Sequence, residues 1–214
     1  ANAGVVLDRV SNQALVCSFF VQCAQNTAVA VCTAGARTAK AVMDESWIKI
    51  FLTAAPSGVL GTAIDDPPFL SPKLFVFDDH NNAIFFHSAN EGRVWTNIHI
   101  NSKVCFTTYE MGCITPAKKA CSFGLEYRSV IVFGNLQVVQ DQAEALRVLQ
   151  LFMDKYAPHL KANLDYSPTI PDELANLAVY RLDITGRSGK QDKRSMEMPG
   201  AFRFEDIVSE TDVT

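Results

Sequence analysis

The sequence has no long hydrophobic run. No stretch approaches the roughly eighteen apolar residues that span a bilayer, so no membrane segment is expected. Ala14–Val21 is apolar but too short to cross, and it lacks a basic leader, so a signal peptide is not expected. A dense Lys/Arg block is missing too. With 19 basic and 23 acidic residues the net charge is −4, which makes nucleic acid and anionic membranes poor partners. Cysteine pairs at CxxC spacing and Cys/His clusters at zinc spacing are also absent, so no metal site is expected. The six cysteines, Cys17, Cys23, Cys32, Cys105, Cys113 and Cys121, read as small hydrophobes in a reducing, cytoplasmic compartment. Gly-x-Gly-x-x-Gly, the P-loop spacing and Gly-x-Ser-x-Gly do not occur. Rossmann dinucleotide binding, P-loop chemistry and α/β-hydrolase chemistry drop out with them.

What is present is a globular composition: 214 residues, 48% apolar, 20% charged, with fourteen Phe. A chain of that length buries a core without covalent staples. Residues 1–37 hold little charge and no sustained period, and read as a segment of unclear role that packs on the main body or on a partner chain. Residues 38–195 form the expected domain, and 196–214 a C-terminal tail. Asp44 caps a short amphipathic helix through Trp47, Ile48, Phe51 and Leu52. Ser57–Ile64 reads as a strand and Asp65–Pro68 as a turn. Phe69–Phe77 and Ala83–Ser88 pair as a hairpin around Asp78–Asn82. Glu91–Ile100 reads as helix, Lys103–Glu110 as strand, and Met111–Phe123 as loop. Leu125–Val139 is one long strand that Gly134 bends. Asp141–Tyr156 is a capped helix with Leu146, Leu149, Met153 and Tyr156 as its inward stripe. Pro171–Leu177 is a short helix and Ala178–Thr185 an alternating strand. Six strands joined as neighbours favour an antiparallel barrel with attached helices over a parallel sheet.

Chemistry concentrates at Phe85–Arg93 (FFHSANEGR). A strand ends there, Ser88 and Glu91 offer a capping box, and a helix begins whose free N–H groups suit an anion. Arg93 in the opening turn opposes the helix dipole unless an anion is near, so a phosphate site and a plain capped helix stand as equal readings. His87 reads either as a hydrogen-bonded core histidine or as an acid–base or flavin-edge group, its ordinary pKa near ~6.5 suiting neutral pH. His80, His99 and His159 read as solvated. Tyr127 and Ser129 share a strand face, from which Ser129 can point into a barrel mouth or simply bond locally. Gly186–Lys190 is basic, reads as flexible, and suits a phosphate.

In order along the chain, SGVLGTAI, PPFLSPKLFVF, IFFHSANEGRVWTNIHINSKVCF, EYRSVIVFGNLQVV and VYRLDITGRSGK resemble the FMN-binding split-barrel family of pyridoxamine 5′-phosphate oxidase. The nitroimidazole-resistance branch is the most similar. The resemblance covers roughly Met43–Lys193. It implies a mainly β, six-stranded antiparallel split barrel with flanking helices, active as a homodimer with FMN in clefts between subunits. It places the FMN phosphate on Ser88 and Arg93, and runs Leu74 and Phe75 along the isoalloxazine ring. Ser129 falls on a polar flavin contact and His87 on the branch's active-site histidine. Arg187 and Lys190 complete the cofactor candidates. Val94 replaces a lysine found in true pyridoxamine phosphate oxidases, and no Arg-x-His pair follows Arg187, so pyridoxal phosphate synthesis is not expected. Arg187 also stands where relatives often carry Trp. The implied function is an FMN-dependent oxidoreductase that takes electrons from a reduced donor and passes them to a small acceptor. A non-catalytic flavin-storage dimer and a haem-handling split barrel are the alternatives.

Overall fold

A computed structural model describes residues 40–64 and 67–208. The expectations for residues 1–37, for Cys17, Cys23 and Cys32, and for the Asp65–Asp66 half of the turn lie outside the described residues. A two-residue strand β1 (Ala41–Val42) leads into helix α1 (Glu45–Ala54). Asp44 caps α1 by accepting from the Ser46 and Trp47 N–H groups, and Ile48, Phe51 and Leu52 face the core. Strands β2 (Gly58–Thr62), β3 (Phe69–Lys73), β4 (Val76–Asp78) and β5 (Ala83–Ala89) follow. Helix α2 (Arg93–Ile100) precedes β6 (Lys103–Thr115) and β7 (Gly124–Val138). Helix α3 (Gln142–Tyr156), a 3-10 turn at Pro171–Asn176, and β8 (Leu177–Asp192) complete the body. β9 (Phe202–Arg203) and α4 (Phe204–Val208) end the described chain.

The strands form one antiparallel sheet in the order β3-β2-β6-β7-β8-β5-β4, with β1 on β8 and β9 on β6. This mainly β architecture with flanking helices is the fold class the sequence implies. The sheet's two edges, β3 and β4, are consecutive in the chain, so the sheet curls until Leu74–Phe75 joins them. The expected single strand Phe69–Phe77 is therefore two strands with different partners: β3 pairs with β2 and β4 with β5. That split and the short β1 and β9 raise the strand count above six.

Three further expectations are corrected. β6 runs on to Thr115 where a loop was expected, crossing a register shift between Met111 and Ile114. Gly186–Lys190, expected to be flexible, is the second half of β8 and pairs with β7. The fully buried stripe of α3 is Ala145, Val148 and Phe152, one position from the expected set, of which Leu149 and Tyr156 still pack half-buried against the same cluster. α3 packs on the sheet's outer face against Val76, Ala83, Phe85 and Val179, and that surface selects the stripe. The barrel core lies on the other side, around Leu52, Phe75, Phe86, Phe106, Val132, Leu136 and Leu182. β5 is covered on both faces, which is why Ala83–Phe86 is a continuous apolar run.

Candidate flavin site

Strand alternation divides the end of β5 between two faces. Ile84 and Phe86 belong to the barrel core and Ala83 and Phe85 to the α3 side, so Ser88 follows the barrel face and His87 the α3 face. The Ser88–Glu91 capping box does not form. β5 continues in register to Ala89, opposite Leu177, which leaves Ser88 too early to cap. Gly92 is the residue that starts α2, at φ 93°, a conformation that favours glycine. A Cβ placed on Gly92 would meet nothing within 4 Å, so the chain there borders open space.

No side chain caps α2. Its first intrahelical bond runs from the Thr96 N–H to the Gly92 carbonyl at 3.0 Å, leaving the N–H groups of Arg93, Val94 and Trp95 without a helical acceptor. Arg93 lies with its guanidinium 5.0 Å from the centre of the Phe69 ring. Four residues along the same face of β3, Lys73 donates to the Ser88 hydroxyl at 3.4 Å. Among the described residues neither Arg93 nor Lys73 has a carboxylate within ion-pair distance. Burial without a counter-charge lowers the Lys73 ammonium below its ordinary range. Lys73 with the Ser88 hydroxyl at one end of the bend, and Arg93 with unsatisfied helix N–H groups at the other, are thus unpaired by any carboxylate among the described residues, although Glu91 lies in the bend between them. That donor set fits a phosphate.

His87 is open to solvent on one side, while its ring meets Phe152 edge-on at 4.7 Å. That apolar cover, and then the Lys73 charge, lower its pKa below 6.5, so the imidazole is neutral at pH 7. Leu74 is 53% exposed and offers an apolar surface next to Lys73. Phe75 is fully buried, and its ring packs edge-on against Phe106 at 4.8 Å. Its backbone is occupied as well: the amide donates to the Tyr156 hydroxyl at 3.0 Å, and the carbonyl accepts from Lys155 at 2.9 Å.

The remaining candidates lie elsewhere. Ser129 on β7 is the register partner of Lys190 on β8 and of Tyr109 on β6. His87 pairs with Val179 near the other end of β8. Eleven residues separate Val179 from Lys190, about 35 Å of strand. Arg187 does not join Lys190. The register shift at Phe133/Gly134 turns it to the face of Val132, where it donates to Glu45 at 2.7 Å and to Asn82 at 3.0 Å. Only 13% of its side chain is exposed. A cleft of about 690 Å³ opens between Trp47, Tyr127, Arg128, Arg194 and Phe204, away from the Ser88–Arg93 bend. It balances acids against bases and favours neither sign of ligand.

Sequence reasoning missed Lys73, Lys155 and Tyr156. The alternation Phe69, Ser71, Lys73 was the available signal for the first. Tyr156 was marked only as a packing residue of the α3 stripe and nothing local marked Lys155, because the hydrogen-bond partners of both lie about eighty to a hundred residues away.

The solved structure of a flavocytochrome from Azotobacter vinelandii is similar over 79% of this chain and 75% of its own, at 22% identity and a TM-score of 0.62. A candidate 5-nitroimidazole antibiotic resistance protein from Bacteroides thetaiotaomicron covers 72% of this chain and 90% of its own, at 21% identity and a TM-score of 0.58. An FAD and heme binding protein from Mycobacterium smegmatis covers 80% of each chain, at 17% identity and a TM-score of 0.63. At these identities the likeness establishes the fold. No curated protein matches the chain. A family model described as pyridoxamine 5′-phosphate oxidase matches residues 44–191. That span contains the barrel body and every candidate residue from Leu74 to Lys190, and the chain belongs to the pyridoxamine 5′-phosphate oxidase family.

Proposed function

We propose that this protein is an FMN-dependent oxidoreductase. It works as a cytoplasmic homodimer and passes electrons from a reduced nicotinamide or deazaflavin donor to a small acceptor, for example a nitroaromatic. The observation that carries the reading is the Ser88–Arg93 bend, which Lys73 flanks at Ser88 and Arg93 and the uncapped start of α2 flank at its other end, neither cation being paired with a carboxylate among the described residues. Bound FMN supplies the redox chemistry. Arg93 and the first N–H groups of α2 hold its phosphate, and Leu74 offers apolar surface to the ring. His87, neutral at pH 7, accepts a proton at a ring nitrogen. The Ser129–Lys190 face, about 35 Å along β8 from the His87 register, belongs to the same cleft only if a second copy supplies it. That is the support for a two-fold assembly. Cys113 and Cys121 are free thiols, which suits a reducing compartment.

The absorbance spectrum of the purified full chain, with the mass of any released ligand, tests the cofactor. Flavin bands with the mass of FMN agree with the reading, and a Soret band favours haem handling. Stopped-flow turnover with a reduced donor and a nitroaromatic acceptor then tests catalysis. Tight FMN binding without turnover favours the storage reading.

A further inference from the structure

The seam between β3 and β4 has no strand ladder of its own, because these strands are the two edges of the sheet. Yet Lys73 and Leu74 in that seam border the Ser88–Arg93 bend. What braces the seam is the last turn of α3. The Phe75 amide donates to the Tyr156 hydroxyl at 3.0 Å, whose single proton lies between the Pro56 and Phe75 carbonyls at 2.7 and 2.8 Å. Lys155 donates to the Ala55 carbonyl at 2.8 Å and to the Phe75 carbonyl at 2.9 Å, with its ammonium 4.2 Å from the Phe75 ring centre. Among the described residues no carboxylate pairs with Lys155. A cation desolvated against two carbonyls and a ring, with no counter-charge, costs stability and is not explained by the α3 packing stripe. One turn earlier, Phe152 meets His87 at 4.7 Å and stacks on Tyr156 at 5.9 Å. Positions 152, 155 and 156 share one helix face. That face therefore touches both walls of the candidate site, His87 on β5 and the β3–β4 seam.

We propose that the last turn of α3 is the positioning element of the flavin site, with Lys155 and Tyr156 fixing the Leu74–Phe75 backbone relative to His87. The assignment rests on the flavin reading above. Neither residue touches the ligand. They act through Phe75, whose amide and carbonyl they hold, and so set where the exposed Leu74 stands against the ring. Removing either set of bonds frees the seam without opening the core, since the Phe75 ring stays packed on Phe106.

Tyr156→Phe keeps the ring and drops the hydroxyl, Lys155→Met keeps the stem and drops the donors, and Lys155→Arg keeps donors. Two readouts are made on the full chain: hydrogen exchange of the peptide spanning residues 74–77 without flavin, and FMN affinity by fluorescence quenching. Tyr156→Phe is expected to speed exchange at the seam about tenfold, with β6 to β8 unchanged. Tyr156→Phe and Lys155→Met are each expected to weaken FMN about three- to tenfold, and Lys155→Arg to recover most of that loss. Unchanged seam exchange overturns the proposal. So does faster exchange with FMN affinity unaltered in every variant. If the unmodified protein binds no flavin, the flavin reading itself falls, which separates that failure from one confined to the variants.

Discussion

His87 and Lys73 are the residues whose chemistry depends most on their surroundings. Cover by Phe152 and then the Lys73 charge lower the histidine's pKa below 6.5. If the neutral imidazole is the active form, turnover falls only as pH drops below that value. Lys73→Met removes the cation, so the acid limb should move up towards 6.5; an unmoved limb would detach Lys73 from His87. His87→Ala should keep the fold and bound FMN while losing about 10²–10⁴ in rate, measured by steady-state turnover. Lys155 gives a second pH signature, on stability. Burial lowers it to about 8 from 10.5, and Tyr156, whose ring centre lies 5.3 Å from the ammonium, is the titratable group facing it. Between those values the unfolded chain binds the proton more tightly than the folded one, so folding gains as pH rises. The melting temperature of the protein should therefore improve relative to Lys155→Met from about pH 8 to 10.5. A flat difference would contradict the burial. At this scale the placement of His87, Ser88 and Arg93 between a strand end and a helix start was legible from local signals, although the Ser88 cap expected there does not form. Lys155 and Tyr156 were not, because their roles come from distant carbonyls.

Among the elements, the caps of α1 and α3 and the bend of β7 were readable from the sequence, whereas the cap expected for α2 does not form. Asp44 and Asp141 accept from amides two residues on, as their spacing before apolar stripes indicates. Gly134 stands at the β7–β8 register shift, and a Cβ there would lie 2.1 Å from the Asp183 carbonyl oxygen. Gly134→Ala should cost about 1–3 kcal/mol and lower the melting midpoint by roughly 2–12 °C. A midpoint within a degree of the parent would show that the strands separate there without strain. The β3–β4 split was hidden because apolar residues flank Pro72 on both sides in Phe69–Phe77, so the run reads as one strand, and Pro72 marks only that β3 is an edge. Only closure of the sheet, a non-local event, decides where it changes partner. The second half of β8 was hidden for a related reason: Gly, Ser and Lys read as loop until pairing with β7 overrides their propensity.

For the whole molecule, the outward face of β6 and β7 exposes Tyr109 (71%), Met111 (47%) and Ile131 (38%) beside Ser129. Contiguous apolar surface of this kind is uncommon on monomers, and a two-fold interface would cover it, with above ~2,000 Å² buried in total. Light scattering at micromolar concentration should give twice the 23.5 kDa chain mass, and Ile131→Glu should give one. A single-chain mass for the unmodified protein would remove the two-chain cleft. The account as a whole stands on the Ser88–Arg93 bend holding the phosphate of FMN, and the most direct measurement compares FMN with riboflavin on the parent protein and Arg93→Ala. A charge-assisted contact is worth ~1.5–3 kcal/mol, so titration calorimetry should show Arg93→Ala binding FMN roughly ten- to a hundredfold more weakly. Riboflavin, which lacks the phosphate, should bind both proteins alike and more weakly than FMN binds the parent. Equal affinities for FMN and riboflavin, or an FMN affinity that Arg93→Ala leaves unchanged, would contradict the phosphate site.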